Sequence, residues 1–285
     1  MDLIQALILG LVQGLTEFLP VSSSAHLLIV PWLFGWHGGA VTSIPFDVAL
    51  HMGTLLAVLV YFASDWQRLI VAFVRSLIER RIGDDPDRRL AWLIILGSIP
   101  AAVVGLLTES QIDDLFHQPQ NLQLGLYVIA AMMIIMGALL LTAERLGQRQ
   151  YEINQVGITT AMIVGLAQAL ALIPGVSRSG STITAGLFRG LKREAAARFS
   201  FLLATPIVLA AGVKKLYDVL KSPEGIRASE QMGYLVGFAA SAISGFLCIY
   251  FLMRYLQRRS TAPFIIYRFL LGAGIIILLL AGFNV

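Results

Sequence analysis

Two interruptions constrain this chain more than anything else in it. Each is a proline followed by a serine-rich turn inside an otherwise apolar stretch. Of the 285 residues, 57% are hydrophobic and only 13% charged, against about 25% charged in a typical soluble domain. The apolar residues fall into blocks at 45–63, 91–107, 122–142, 197–212, 233–253 and 263–283. Each block approaches the length that a helix needs to cross about 30 Å of hydrocarbon. The segments 3–30 and 153–187 do not fit that pattern. In the first, Gly10, Gly14 and Pro20 break the run, and Glu17, Ser22, Ser23, Ser24 and His26 lie close together. A backbone break at membrane depth is tolerated only where protein covers the freed polar groups. Each segment is therefore expected to be a re-entrant helical hairpin.

The two hairpins resemble each other. Gly10-Leu11-Val12-Gln13-Gly14-Leu15 aligns with Gly165-Leu166-Ala167-Gln168-Ala169-Leu170, and both runs lead to a proline and a serine-rich turn. Three apparent spans follow each hairpin, and an odd number of spans reverses the orientation of the second half, as in transporters built from inverted repeats. The fold expected is an all-α polytopic membrane protein with six transmembrane helices and two re-entrant helical hairpins. It forms a single integral membrane domain over 1–285, with a first repeat at 1–142 and a second at 153–285.

Charge gives the orientation. Loop 64–90 holds Arg68, Arg75, Arg80, Arg81, Arg88 and Arg89; loops 143–152, 188–196 and 254–262 are also basic. Loops 31–44 and 108–121 contain no Lys or Arg, while loop 213–231, with Lys214, Lys215, Lys221 and Arg227, is the exception. The positive-inside rule favours both termini outside, so the hairpins enter from opposite leaflets and their tips can meet near the midplane. Asp2 is the only charge before Glu17, and the first Lys or Arg is Arg68. With no basic n-region, the N-terminal run is expected to persist. The basic residues read as topology signals and not as nucleic-acid contacts. The single cysteine, Cys248, excludes a disulfide framework and a cysteine metal site. No Walker loop, nucleophile elbow or HExxH helix is present.

Polar residues kept inside apolar segments point to function. A carboxylate at membrane depth costs about 2.5–3.5 kcal/mol on insertion scales, so Glu17 is a candidate metal ligand or general base; its plainer reading is an interfacial carboxylate facing water. Gln13, one turn earlier, shares its face. Hydroxyls after a proline cap helices, which explains one of Ser22, Ser23 and Ser24 but not three plus a histidine. Ser23 and His26 could be a nucleophile and its base, or His26 could itself be the nucleophile or an acid. Arg178 sits between Ser177 and Ser179 in a Pro/Gly turn. Its planar fork suits bidentate phosphate binding, Ser177, Ser179, Ser181 and Thr182 supply hydroxyls, and a helix beginning near Ser181 aims its amides at an anion. Asp47 and His51 open a span one turn apart, a spacing that permits metal ligation, though a helix-start acid at the positive dipole end is the plainer account. Asp113, Asp114 and His117 read as a solvated loop. Arg198 and Arg268 read as interfacial anchors, and Arg75 to Arg89 as a basic loop near anionic lipid.

These residues match a known family. Gln13-Gly14-Leu15-Thr16-Glu17-Phe18-Leu19-Pro20-Val21-Ser22-Ser23-Ser24-Ala25-His26 resembles the first motif of bacterial undecaprenyl-pyrophosphate phosphatases of the BacA/UppP type. Pro174-Gly175-Val176-Ser177-Arg178-Ser179-Gly180-Ser181-Thr182 resembles their second, PGxSRSxxT, and Pro263-Phe264-Ile265-Ile266-Tyr267-Arg268-Phe269 also agrees. The family's first motif reads (E/Q)xxxE, and this chain has the neutral option at Gln13. The resemblance implies that Glu17, with Gln13, holds a divalent cation such as Mg²⁺ or Ca²⁺, or that Glu17 polarises the nucleophile. It puts Ser23 and His26 at the reacting phosphorus, Arg178 on the pyrophosphate, and Gln13, Ser22, Ser24, Ser177, Ser179 and Thr182 around the substrate.

The activity implied is undecaprenyl-diphosphate phosphatase: hydrolysis of a polyprenyl pyrophosphate to undecaprenyl phosphate and inorganic phosphate, which recycles the carrier for peptidoglycan and confers bacitracin tolerance. The partners implied are the lipid substrate, membrane lipids and a second copy in a homodimer, with no nucleic acid. The location implied is the bacterial cytoplasmic (inner) membrane, with the site open to the periplasmic side. The rival reading is a transporter of the lipid carrier through the same midplane site. A membrane scaffold is the weaker third, because it gains nothing from a buried Glu17 and Arg178.

Overall fold

The computed structural model describes residues 2–36, 39–116, 122–221 and 229–283. Those residues form eleven α-helices: α1 Leu3–Phe18, α2 Ser23–Phe34, α3 Ile44–Tyr61, α4 Ala63–Ile78, α5 Pro86–Phe116, α6 Leu122–Leu146, α7 Ile158–Leu170, α8 Arg178–Phe188, α9 Arg193–Lys221, α10 Gln231–Arg258 and α11 Ala262–Leu280. Beyond one isolated Tyr151–Leu191 bridge, there is no β-structure among the described residues. Among the described residues, six helices are long and apolar enough to cross a membrane: α3, α5, α6, α9, α10 and α11. Their outward faces carry large apolar side chains such as Leu106, Ile243, Phe251 and Leu280. A soluble monomer would not expose so many, and lipid accepts them.

The remaining apolar helices are too short to span. At 1.5 Å per residue, helices the size of α8 and α1 extend about 17–24 Å. Local sequence explains where they stop. Asp2 caps α1 by accepting from the Ile4 amide at 2.8 Å, and the helix ends before Leu19, which precedes Pro20 and takes an extended conformation, as residues before proline favour. α2 ends at Gly35 in the left-handed region.

Three expected loops are partly helical. Loop 64–90 contains α4, which buries Asp65, Leu69, Ala72 and Ser76 and exposes Ile70, Val71, Val74, Leu77 and Ile78 beside Arg68 and Arg75. The arginines form the polar edge of an amphipathic helix, so their density hid its 3.6-residue period. α5 and α9 run on to Phe116 and Lys221, into the expected loops 108–121 and 213–231. Asp113 and Asp114 thus belong to a helix and not to a loop. His117 and Arg227 lie outside the described residues.

Close packing places the short helices. α1 lies along α10, and α7 lies along α5; α6 packs on α11, and α3 on α9 and α10. Glycine permits the first two approaches. A Cβ on Gly14 would stand 2.0 Å from Ser244 Oγ and 2.6 Å from the Ser241 carbonyl oxygen; one on Gly165 would stand 2.0 Å from the Gly97 carbonyl oxygen. Small residues at helix crossings are how membrane helices gain van der Waals contact where lipid removes the hydrophobic drive. Ion pairs fasten the ends. Asp65 on α4 accepts from Arg198 at 2.6 Å and from Arg68 at 2.5 Å, so Arg198 is a tether between α4 and α9. Glu144, at the end of α6, accepts from Arg193, Arg149 and Thr261.

Candidate functional site

The site begins with two hinges. Ser22 precedes the first residue of α2 and Ser177 the first residue of α8; their φ angles are 74° and 70°. They stand 155 positions apart, the same offset that relates Gly165 to Gly10. A side-chain-bearing residue held in that region costs about 1–3 kcal/mol and persists only where its surroundings impose it. Ser177 caps its helix, accepting from the Gly180 amide at 3.1 Å. α8 therefore starts at Arg178, three residues before the Ser181 expected from sequence, and Arg178 is itself the first helical residue.

Arg268, which is fully buried, contacts the chain just before both hinges. Its Nη1 donates to the Pro20 carbonyl at 3.0 Å, and its Nη2 to those of Gly175 at 2.8 Å and Val176 at 3.1 Å. Nε and Nη2 also donate to Met133 and Met132 on α6 at 3.2 and 3.3 Å. One guanidinium thus joins hinge one, hinge two and α6. The expectation that Arg268 anchors at the interface is corrected: its side chain turns inward, where backbone carbonyls of both hinges and of α6 accept from it.

Glu17, near the end of α1 and 8% exposed, is the centre of the polar cluster. Its Oε1 accepts from Arg178 Nη2. Its Oε2 accepts from Ser23 Oγ, the first residue of α2, and from Gln13 Nε2 at 3.1 Å. His51 Nε2 on α3 stands 3.9 Å from the same oxygen. Four helices thereby converge on one carboxylate, although Arg178 and Glu17 are 161 residues apart. The Gln13 Oε1 is buried with no hydrogen-bond partner among the described residues. Gln13 and Glu17 together offer hard oxygen donors of the kind that Mg²⁺ or Ca²⁺ prefers. No group of three or more His, Cys, Asp or Glu suited to a metal occurs among the described residues. These donors therefore fit a cation that completes its shell with water and substrate phosphate, not one held by protein alone.

The other expected site residues separate into two sets. Ser22 and Ser24 face each other, with hydroxyl oxygens 3.2 Å apart. In hinge two the hydroxyls are engaged inside the protein. Ser177 caps α8. Ser179 Oγ donates to the Leu19 carbonyl at 2.9 Å and so ties α8 to hinge one. Thr182 Oγ1 donates to the Arg178 carbonyl at 2.6 Å and lies 2.5 Å from Ser200 Oγ. Ser181 also bonds the Arg178 carbonyl, at 3.0 Å. His26 is not on Ser23. Its Nδ1 lies 2.6 Å from the Ser22 carbonyl oxygen and its Nε2 2.6 Å from Tyr267 Oη, with the two rings stacked. The hydroxyl of Ser23 has Glu17 as its acceptor instead.

His51, a possible metal ligand by sequence, and Tyr267, marked there only as part of the third motif, contact Glu17 and His26. The signal for His51 was its place one turn after Asp47: its Nδ1 bonds the Asp47 carbonyl at 2.8 Å, which turns Nε2 towards Glu17. Beside the cluster is a shallow indentation lined by Phe18, Thr54, Leu55, Val58, Arg178 and Thr205.

The fold and the cluster define a class: a helical membrane protein with six candidate spans, in which Arg178 and Ser23 meet on Glu17 beside two helix breaks. Comparison with known sequences narrows it. Residues 6–274 match the family described as bacitracin resistance protein BacA, and the chain belongs to that family. It is 46% identical over 284 residues to an undecaprenyl-diphosphatase of Thermomicrobium roseum, covering 99% of each chain. It is 45% identical over 284 residues to that of Pelobacter propionicus, covering 100% of each, and 46% identical over 281 residues to that of Geobacter sulfurreducens, covering 99% of this chain and 100% of that one.

Proposed function

We propose that this chain is an undecaprenyl-diphosphatase, a multi-pass membrane phosphatase that cleaves the anhydride bond of a polyprenyl pyrophosphate and releases inorganic phosphate. Its relatives carry that name over their full length. One observation carries the reading: Arg178 and Ser23 both hydrogen-bond Glu17 at the starts of two helices packed among apolar spans. The guanidinium and the helix N-termini suit a pyrophosphate, and the isoprenoid tail stays in the lipid around the spans.

The chemistry divides among the residues as follows. Arg178 holds the terminal phosphoryl oxygens and stabilises the charge that grows on them, as preorganised donors do in a water-poor site. Reaching the substrate loosens Arg178 from Glu17, and the freed carboxylate accepts the proton of the attacking hydroxyl, on Ser23 or on water. His26 is held in reserve as acid or alternative nucleophile. The anhydride P–O bond breaks, the lipid monophosphate leaves, and water supplies the oxygen of the released phosphate. Gln13 and Glu17 would hold a divalent cation, whose contribution is to neutralise charge on the diphosphate.

The two hairpins act as re-entrant elements of an inverted repeat, residues 1–142 and 153–285, with both termini and the site on the outer side of the cytoplasmic membrane. Supporting this are the equal offset of the paired glycines and hinge serines, the matched pairing of α1 with α10 and α7 with α5, and the basic loops. The test is phosphate release from farnesyl or undecaprenyl pyrophosphate by purified protein, with Mg²⁺ or Ca²⁺ and again with a chelator. Release by wild type that a chelator suppresses is the expected result. No release under any of these conditions overturns the reading and leaves lipid-carrier transport.

A further inference from the structure

Helix α11 grips hinge one at two points. Arg268 holds the Pro20 carbonyl, and the preceding residue, Tyr267, reaches His26, one turn into α2. Adjacent helical residues diverge by about 100°, so α11 approaches the hinge on two sides at once. We propose that Tyr267 is a positioning residue of the site, which fixes the tautomer and orientation of His26 through its hydroxyl on a helix locked to the same hinge by Arg268.

The geometry defines a tautomer. The Ser22 carbonyl only accepts, so Nδ1 of the neutral ring carries the proton, and Nε2 is left with a lone pair for the Tyr267 hydroxyl. Both bonds are 2.6 Å. The rings stack at 5.6 Å between centroids and 11° between planes, which restricts rotation of the imidazole about its own axis. Tyr267 is in part exposed while His26 is buried. The Tyr267 hydroxyl is therefore the neighbour that holds Nε2 of the buried imidazole. Both ring nitrogens are thus engaged, so His26 can meet substrate only through Nε2, in exchange for the Tyr267 hydroxyl that holds it until then. Arg268 adds rigidity. Its bonds to carbonyls of both hinges and of α6 mean that α11 cannot shift without moving the starts of α2 and α8.

This inference rests on the phosphatase reading, and its test has one arm that does not. In the activity arm, full-length Tyr267→Phe, His26→Gln and the double variant are compared on farnesyl pyrophosphate. Tyr267→Phe is expected to lower kcat about 10- to 100-fold with little change in KM, and to lower it no further in the His26→Gln background. In the other arm, protein carrying ¹⁵N-histidine is studied by NMR in detergent. With four histidines in the chain, His26→Gln assigns the signal, and Tyr267→Phe is expected to move the Nε2 resonance of His26 alone. Equal losses in both backgrounds, unchanged kcat in Tyr267→Phe, or an unmoved His26 resonance would each overturn the proposal. Wild-type protein without phosphatase activity sinks the functional reading, while the resonance still decides whether Tyr267 positions His26.

Discussion

Replacing Arg178 by alanine tests stability and catalysis with different expected sizes. Glu17 is 8% exposed and the Arg178 side chain 23% exposed. Removing one partner of a fully buried pair costs about 3–5 kcal/mol. Here Arg178 is partly solvated, and Gln13 and Ser23 still donate to Glu17, so the loss is set lower, at about 2 kcal/mol. For a chain of this size that lowers the melting temperature by about 4–8 °C. The catalytic loss is larger, because a guanidinium aimed at developing phosphoryl charge contributes about 10³-fold in kcat or more. Both are measurable on one preparation: phosphate release from farnesyl pyrophosphate, and melting followed by a thiol-reactive dye at Cys248, the sole cysteine and a buried one. Two further variants separate the effects. Glu17→Gln with Arg178→Ala removes the uncompensated carboxylate, so the double variant regains most of the lost melting temperature and stays inactive. Arg178→Lys keeps the charge without the fork, melts near wild type and loses about 100-fold in turnover. Arg178→Ala with more than about a tenth of wild-type kcat would refute the clamp, since an oriented donor of this kind is worth far more than tenfold.

Other variants probe single contacts. Ser23→Ala lowers kcat by about 10³-fold or more if its hydroxyl attacks phosphorus; near-normal turnover assigns the attack to His26 or water. Gln13→Glu adds a second carboxylate beside Glu17 and is expected to lower the Mg²⁺ concentration for half-maximal activity severalfold; an unchanged metal titration removes Gln13 from the cation site. Gly165→Ala sets a Cβ 2.0 Å from the Gly97 carbonyl oxygen and should cost about 1–3 kcal/mol by forcing α7 off α5. Wild-type melting of that variant would mean that the two helices are not in contact. His51→Ala removes the imidazole 3.9 Å from Glu17; a kcat loss with unaltered melting places it in the reaction, and no loss makes it a bystander.

The sequence determined the architecture because hydrocarbon is an unforgiving solvent. Six apolar blocks of spanning length and two broken ones follow from the need to satisfy backbone groups internally, and all six recur as α3, α5, α6, α9, α10 and α11. Glu17 and Arg178 stood out for the same reason: a charge inside an apolar run is costly enough to need a purpose. α4 escaped notice because arginine density was read as loop, while the apolar period that forms the helix lay beneath it.

Tertiary structure alone decided which polar groups meet. Ser23 lies three residues before His26 in the chain but bonds Glu17, because the left-handed turn at Ser22 points the start of α2 back at the end of α1. Arg268 looked like any arginine near the end of a span. Only packing reveals it as the cation that gathers the carbonyls of both hinges. His51 and Tyr267 reach Glu17 and His26 only because helix packing brings α3 and α11 beside them. Periodicity and solvent set which segments lie in the membrane. The pairing of side chains distant in sequence depends on crossing points between helices, and those are set by where glycine lets two backbones touch.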